Sequence, residues 1–116
     1  MSGYPVRQFQ ILSKNPQRAA DFYERAFGWT VTADNALAYR TVTTGGIDGG
    51  IWPAPPDGHG FVQLFLEVPD VPAAAAKAAD AGGAIVIPPT TLPGGDELAV
   101  IVDPENTPFG LFKTNG

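Results

Sequence analysis

The feature that most constrains this chain is that it repeats itself. Displaced by 55 positions, residues 8–31 fall on residues 63–86 without a gap. The identical pairs are Gln8/Gln63, Ala19/Ala74, Ala20/Ala75, Ala26/Ala81, Gly28/Gly83 and Val31/Val86. Ile11/Leu66 and Asn15/Asp70 are conservative matches, and Leu12/Glu67 fits poorly. The tails also correspond, at an offset of 60: Gly49-Gly50-Ile51-Trp52 lies on Phe109-Gly110-Leu111-Phe112. A repeat of this length is one supersecondary unit that cannot bury its own apolar face. The 116 residues suffice for one domain made of both copies.

Each copy has the same internal pattern. A short apolar strand comes first, at 6–12 and 61–68. An Asn or Asp able to cap a helix follows, with proline just inside: Asn15-Pro16 and Asp70-Val71-Pro72. The helices show apolar stripes, Ala19, Phe22, Tyr23, Ala26 and Phe27 in the first and Val71, Ala74, Ala75, Ala78 and Ala81 in the second. Both are expected to stop at glycine, Gly28 and Gly82-Gly83. Strands are expected at 29–32 and 84–87, then at 36–43 and 98–102, then in the matched tails. The half-modules are 1–53 and 61–116, joined by a Pro- and Gly-rich linker at 54–60 that suits neither helix nor strand. The predicted fold class is α+β: tandem βαβββ modules forming a curved mixed sheet, with a concave pocket and the helices outside. The concavity is the place to look for function.

Composition removes several classes of function. With no cysteine there is no disulfide, thiolate zinc ligand or thiol nucleophile. A net charge of −5 with seven Lys and Arg provides no electrostatic footprint for nucleic acid. No apolar run approaches the roughly 20 residues that cross a membrane, and the N-terminus lacks a signal-peptide core. The expectation is a soluble cytoplasmic protein without nucleic-acid or membrane partners.

The segment 15–29, Asn-Pro-Gln-Arg-Ala-Ala-Asp-Phe-Tyr-Glu-Arg-Ala-Phe-Gly-Trp, resembles the helix-one signature of the vicinal oxygen chelate superfamily, which includes glyoxalases, bleomycin-resistance proteins and extradiol dioxygenases. The segment 103–111, Asp-Pro-Glu-Asn-Thr-Pro-Phe-Gly-Leu, is similar to that family's closing segment, and Gly82-Gly83, Pro88-Pro89 and 92–95 also fit. The resemblance covers nearly the whole chain. It implies a tandem βαβββ fold and frequently a homodimer. In metal-dependent members, four His, Glu or Gln side chains ligate a divalent ion, one from the first and one from the last strand of each copy. Carried over, those positions are Gln8, Gly50, Gln63 and Gly110. Glycine offers no side-chain donor, and a neutral amide is a poor partner for a transition metal. The expected complement is therefore no metal and no other cofactor.

Bland readings stand beside functional ones. Gln8 and Gln63 could be ordinary sheet residues, Gly50 and Gly110 close-packing sites, His59 a solvated loop residue, and Trp29 core. Tyr39 and Arg40 should point to opposite faces of a strand, with Tyr39 a candidate polar contact. Alternation along the strands adds Val6, Gln10, Phe61 and Phe65 to the glutamine face and Trp52 and Phe112 to the glycine face, while Phe9, Ile11, Leu64 and Leu66 should face the helices. The candidate ligand-binding set is Gln8, Gln10, Gly50, Trp52, Gln63, Phe65, Gly110 and Phe112; no residue stands out as catalytic. The reading preferred is a metal-free small-molecule binder that could sequester an aromatic or antibiotic-like ligand. The alternatives are a glyoxalase-like lyase or isomerase with a non-standard site and an interaction module with a vestigial pocket.

Overall fold

The computed structural model describes residues 3–33, 39–55 and 58–114. Along the chain run β1 (Val6–Ser13), α1 (Pro16–Phe27), β2 (Thr30–Thr32), β3 (Arg40–Thr43), β4 (Asp48–Pro53), β5 (Phe61–Glu67), α2 (Val71–Asp80), β6 (Ala84–Thr91), β7 (Glu97–Val102) and β8 (Pro108–Lys113). This is βαβββ twice. Contacts divide the chain into two compact modules, residues 8–63 and residues 64–116, the second joined by residues 1–7. Strands follow the order β1-β4-β3-β2 in the first module and β5-β8-β7-β6 in the second. In each, the first strand pairs in parallel with the last and the remaining pairs are antiparallel. The repeat in sequence is thus a repeat in topology.

Local chemistry sets the helix ends. Asn15 Oδ1 accepts from Arg18 N at 3.1 Å and Asp70 Oδ1 from Ala73 N at 3.0 Å, so each cap satisfies one of the orphan donors of the first turn. The C-termini differ. Gly28, at φ 73°, donates to Glu24 O at 3.1 Å, a single left-handed closure. The second helix closes on its Gly82-Gly83 pair one residue further on: Ala81 is at φ −84°, and the positive φ, 107°, falls on Gly82. There Gly83 N donates to Ala78 O at 3.0 Å and Gly82 N to Ala79 O at 3.2 Å, the paired closure of a Schellman motif.

Each helix covers one face of its own sheet. In the second module Val71, Ala74 and Ala75 of α2 are buried against Val68, Ala99, Ile101 and Leu111, with Leu66, Ala78 and Phe109 packed around them. In the first, Ala20 of α1 is buried with Ile11, Val42 and Ile51, flanked by Phe9, Tyr23, Trp29 and Val31. The expected stripe of α1 is therefore off-centre. Phe22 and Phe27 are 57% and 54% exposed, and Ala26 is exposed too. The helix seats on small Ala20, which allows close approach to the sheet. Its aromatic residues gather on one flank, where Tyr23 stacks on Phe27 at 5.8 Å and Phe27 meets Trp29 at 5.0 Å. Leu64, expected in the core, is exposed, one side-chain step along β5 from the packed Leu66. β3 is shorter than expected, beginning at Arg40, and residues 36–38 lie outside the described residues. β6 is longer, with register shifts after Ile85 and Ile87 around Pro88-Pro89. Prolines are tolerated there because β6 ends the strand order and has an unpaired side. No described helix is long and apolar enough to cross a membrane.

Candidate functional site

Strand alternation sorts the first module's side chains. Ile11, Val42 and Ile51 pack beneath α1, and Arg40 Nη2 donates to Gln17 Oε1 on α1 at 3.1 Å. The neighbours of these residues in sequence must face the other way. They include Gln10, paired across the parallel ladder with Gly50, and Leu12, paired with Trp52. Thr41 pairs with Gly50 from β3. Gln8, Gln10, Gly50 and Trp52 thus share one helix-free face, as the sequence pattern required. Tyr39 shares it too, although it precedes β3.

These residues interact closely. Gln10 is 7% exposed; its Nε2 donates to Gln8 Oε1 at 2.9 Å and to Tyr39 Oη at 3.3 Å. Its Oε1 is buried with no hydrogen-bond partner among the described residues. The Tyr39 ring lies 4.8 Å from that of Trp52. It also fills the volume a side chain at Gly50 would need: a Cβ there would overlap Tyr39 Oη, Cε1 and Cζ. Tyr39 was legible in sequence only as one candidate polar contact; nothing in the spacing said that its ring covers a glycine eleven residues away.

The second module repeats the arrangement with different chemistry. Leu66, Phe109 and Leu111 pack with α2, so Phe65, Gly110 and Phe112 occupy the helix-free face. Phe65 pairs with Gly110 across β5 and β8, the place that Gln10 and Gly50 hold in the first module. A Cβ at Gly110 would overlap the Phe65 ring. Phe65 and Phe112 are 6.4 Å apart and both buried, as is Val100 beside Gly110. Gln63, also buried, stands two residues before Phe65. The first module therefore offers amides and a phenol on this face, the second mainly hydrocarbon.

The four positions that hold a divalent ion in metal-dependent relatives do not present a donor set. Gly50 and Gly110 have no side chain, and the space where one would extend is filled by the Tyr39 and Phe65 rings. Gln8 and Gln63 contribute amides, which without carboxylate or imidazole partners hold a transition metal poorly. Among the described residues no three His, Cys, Asp or Glu side chains gather, and His59 is exposed. One further concavity, an open groove of about 730 Å³ in the second module, is lined by Tyr4, Pro5, Arg7, Glu67, Pro69 and Lys113, among others. None of the expected ligand residues lines it. Its Arg7–Glu67 pair, 3.3 Å apart with side chains 61% and 43% exposed, is screened by water.

The closing Asp-Pro segment has a structural role. Asp103 Oδ1 accepts from Glu105 N and Thr107 N, both at 2.9 Å, and Asn106 takes φ 67°. This turn feeds β8 and so positions Gly110.

Known proteins agree with this architecture. The hypothetical protein BH1468 from Bacillus halodurans C-125 matches over 99% of this chain and 97% of its own, with TM-score 0.77 and 10% identity. Methylmalonyl-CoA epimerase from Mycobacterium tuberculosis matches over 100% of this chain and 93% of its own, with TM-score 0.73 and 14% identity. At those identities the likeness is one of fold. In sequence, CFP32 of Mycobacterium bovis, named as a candidate glyoxylase, is 31% identical over 109 residues. That match takes in 90% of this chain and 42% of CFP32, so the chain spans less than half the length of that relative. The family model for the Glyoxalase/Bleomycin resistance protein/Dioxygenase superfamily matches residues 6–111, and the chain belongs to that superfamily.

Proposed function

We propose that this protein binds a small organic molecule without a metal ion. The observation that carries the reading is the pair of aromatic rings, Tyr39 and Phe65, lying where side chains at Gly50 and Gly110 would extend. A metal-dependent member of the superfamily would present His, Glu or Gln side chains at those positions. Here the same two places offer π surface and hydrogen-bonding amides, which suit an aromatic or antibiotic-like ligand. Gln8, Gln10, Gly50 and Trp52 of the first sequence repeat, and Gln63, Phe65, Gly110 and Phe112 of the second, are the residues assigned to binding. The test combines elemental analysis of protein purified without added metal with a thermal-shift panel of drug-like aromatics, divalent ions and 2-oxoaldehyde adducts. Aromatics should raise the midpoint. One equivalent of nickel, zinc, iron or manganese per chain would overturn the reading.

The 31% identity to CFP32 favours a second reading, a glyoxalase-like lyase or isomerase working through a non-standard site. Turnover of a glutathione hemithioacetal with added nickel or zinc would support it over simple binding. The working assembly in either reading is a cytoplasmic homodimer. Two exposed apolar surfaces support a second copy as partner: the β6 run Ile85, Val86 and Ile87, and Phe22 with Phe27 on α1. Light scattering giving a monomer mass at micromolar concentration would remove that part of the proposal.

A further inference from the structure

We propose that Gln8 and Gln10, backed by the Tyr39–Trp52 ring pair, form a subsite for a planar aromatic molecule whose edge carries an N–H or O–H donor beside a carbonyl oxygen. The proposal rests on the metal-free binding reading and names the ligand class for the first module's face.

The argument starts from the amides. Gln10 Nε2 spends its two hydrogens on Gln8 Oε1 and Tyr39 Oη. Gln10 Oε1, on a residue 93% buried, is left with no partner among the described residues. Folded proteins keep few such atoms, because a buried acceptor without a donor has lost its water and gained nothing. Half-buried Gln8 is bonded among the described residues only through its oxygen, so its Nε2 hydrogens are open to a ligand acceptor. The unmet needs of the pair are therefore one donor and one acceptor. Turning both amides over exchanges the roles of the two residues but leaves the same complement. A ligand edge with a donor next to an acceptor answers both at once.

The surroundings select for a flat molecule. Tyr39 and Trp52 sit at 4.8 Å on the same face, and Trp52 keeps 36% of its surface open. Gly50, directly across from Gln10, leaves the room that Tyr39 now occupies. None of the side chains of Gln8, Gln10, Tyr39 and Trp52 is ionised, and the carboxylate of Asp48, across the ladder from Gln8, disfavours anionic ligands relative to neutral ones.

The probe is 2-quinolone, a planar lactam with N–H beside C=O; the comparator is N-methyl-2-quinolone, in which a methyl group replaces the donor hydrogen. Binding is followed through the indole N–H resonances, with Trp52 as reporter and Trp29, packed beneath α1, as internal control. 2-Quinolone should shift the Trp52 signal, leave Trp29 in place, and bind about tenfold more tightly than the comparator, the size expected of one buried hydrogen bond. Gln10→Met, which keeps side-chain length and removes both polar atoms, should bring the two affinities together while the Trp29 signal stays native. Equal binding of both compounds by the parent, or an undiminished ratio in Gln10→Met, overturns this proposal while leaving metal-free binding intact. Should neither quinolone bind while other aromatics in the thermal-shift panel do, this proposal alone falls. No binding of any aromatic sinks both.

Discussion

Substitution of Gly50 by alanine tests the central geometric observation. The new methyl would occupy the place of Tyr39 Oη, Cε1 and Cζ. The backbone of β4 cannot yield, since Gly50 is held between Gln10 of β1 and Thr41 of β3. Tyr39 must swing away. That forfeits its ring contact with Trp52, worth about 0.5–1.5 kcal/mol, and the hydrogen bond from Gln10, worth about 0.5–1.5 kcal/mol. Replacing glycine returns about 0.4–1 kcal/mol through the unfolded chain. The net loss is about 1–2 kcal/mol, or a fall in Tm of roughly 4–8 °C for a domain this size. Urea denaturation of four proteins, the parent, Gly50→Ala, Tyr39→Ala and the double variant, isolates the cause. In the Tyr39→Ala background the three atoms nearest the new methyl are gone, so Gly50→Ala should there be neutral or slightly stabilising. The coupling between the two sites should be at least about 1 kcal/mol. Coupling below about 0.3 kcal/mol would mean that Tyr39 does not lie over Gly50, and the explanation for the missing donor position would fail with it.

Three other outcomes follow from the same structure. Gly49→Ala should be worse than Gly50→Ala, destabilising by about 3 kcal/mol in the same assay, because its Cβ would strike the Phe9 carbonyl of the adjacent strand, which has no rotamer to escape into. Asp70→Ala should remove about 1 kcal/mol by freeing the Ala73 amide, with Asp70→Asn recovering most of it. Arg7→Ala should change stability by less than about 1 kcal/mol at low salt and by nothing measurable at high salt, since its pair with Glu67 is solvent-exposed.

Much of this protein was legible in its sequence, because the relevant physics is local or periodic. The duplication and both helix starts follow from repeated caps, apolar alternation and turn residues acting within a few positions of one another. Period two along β1 was enough to place Phe9 and Ile11 beneath the helix and Gln8 and Gln10 opposite. What sequence could not supply was which edge of an apolar stripe docks. A stripe such as Ala19, Phe22, Tyr23, Ala26 and Phe27 spans a broad arc, and only contact with the sheet selected Ala20 and Tyr23 and left Phe22 exposed. Nor could it reveal the partner of a glycine. Gly50 and Gly110 read as missing ligands, but their meaning depends on what occupies the vacated volume. That is settled by non-local packing: Tyr39 reaches over from the approach to β3, and Phe65 from the neighbouring strand. Spacing along a chain encodes the direction in which a side chain leaves the backbone; which distant ring it meets there is decided only when the strands are side by side.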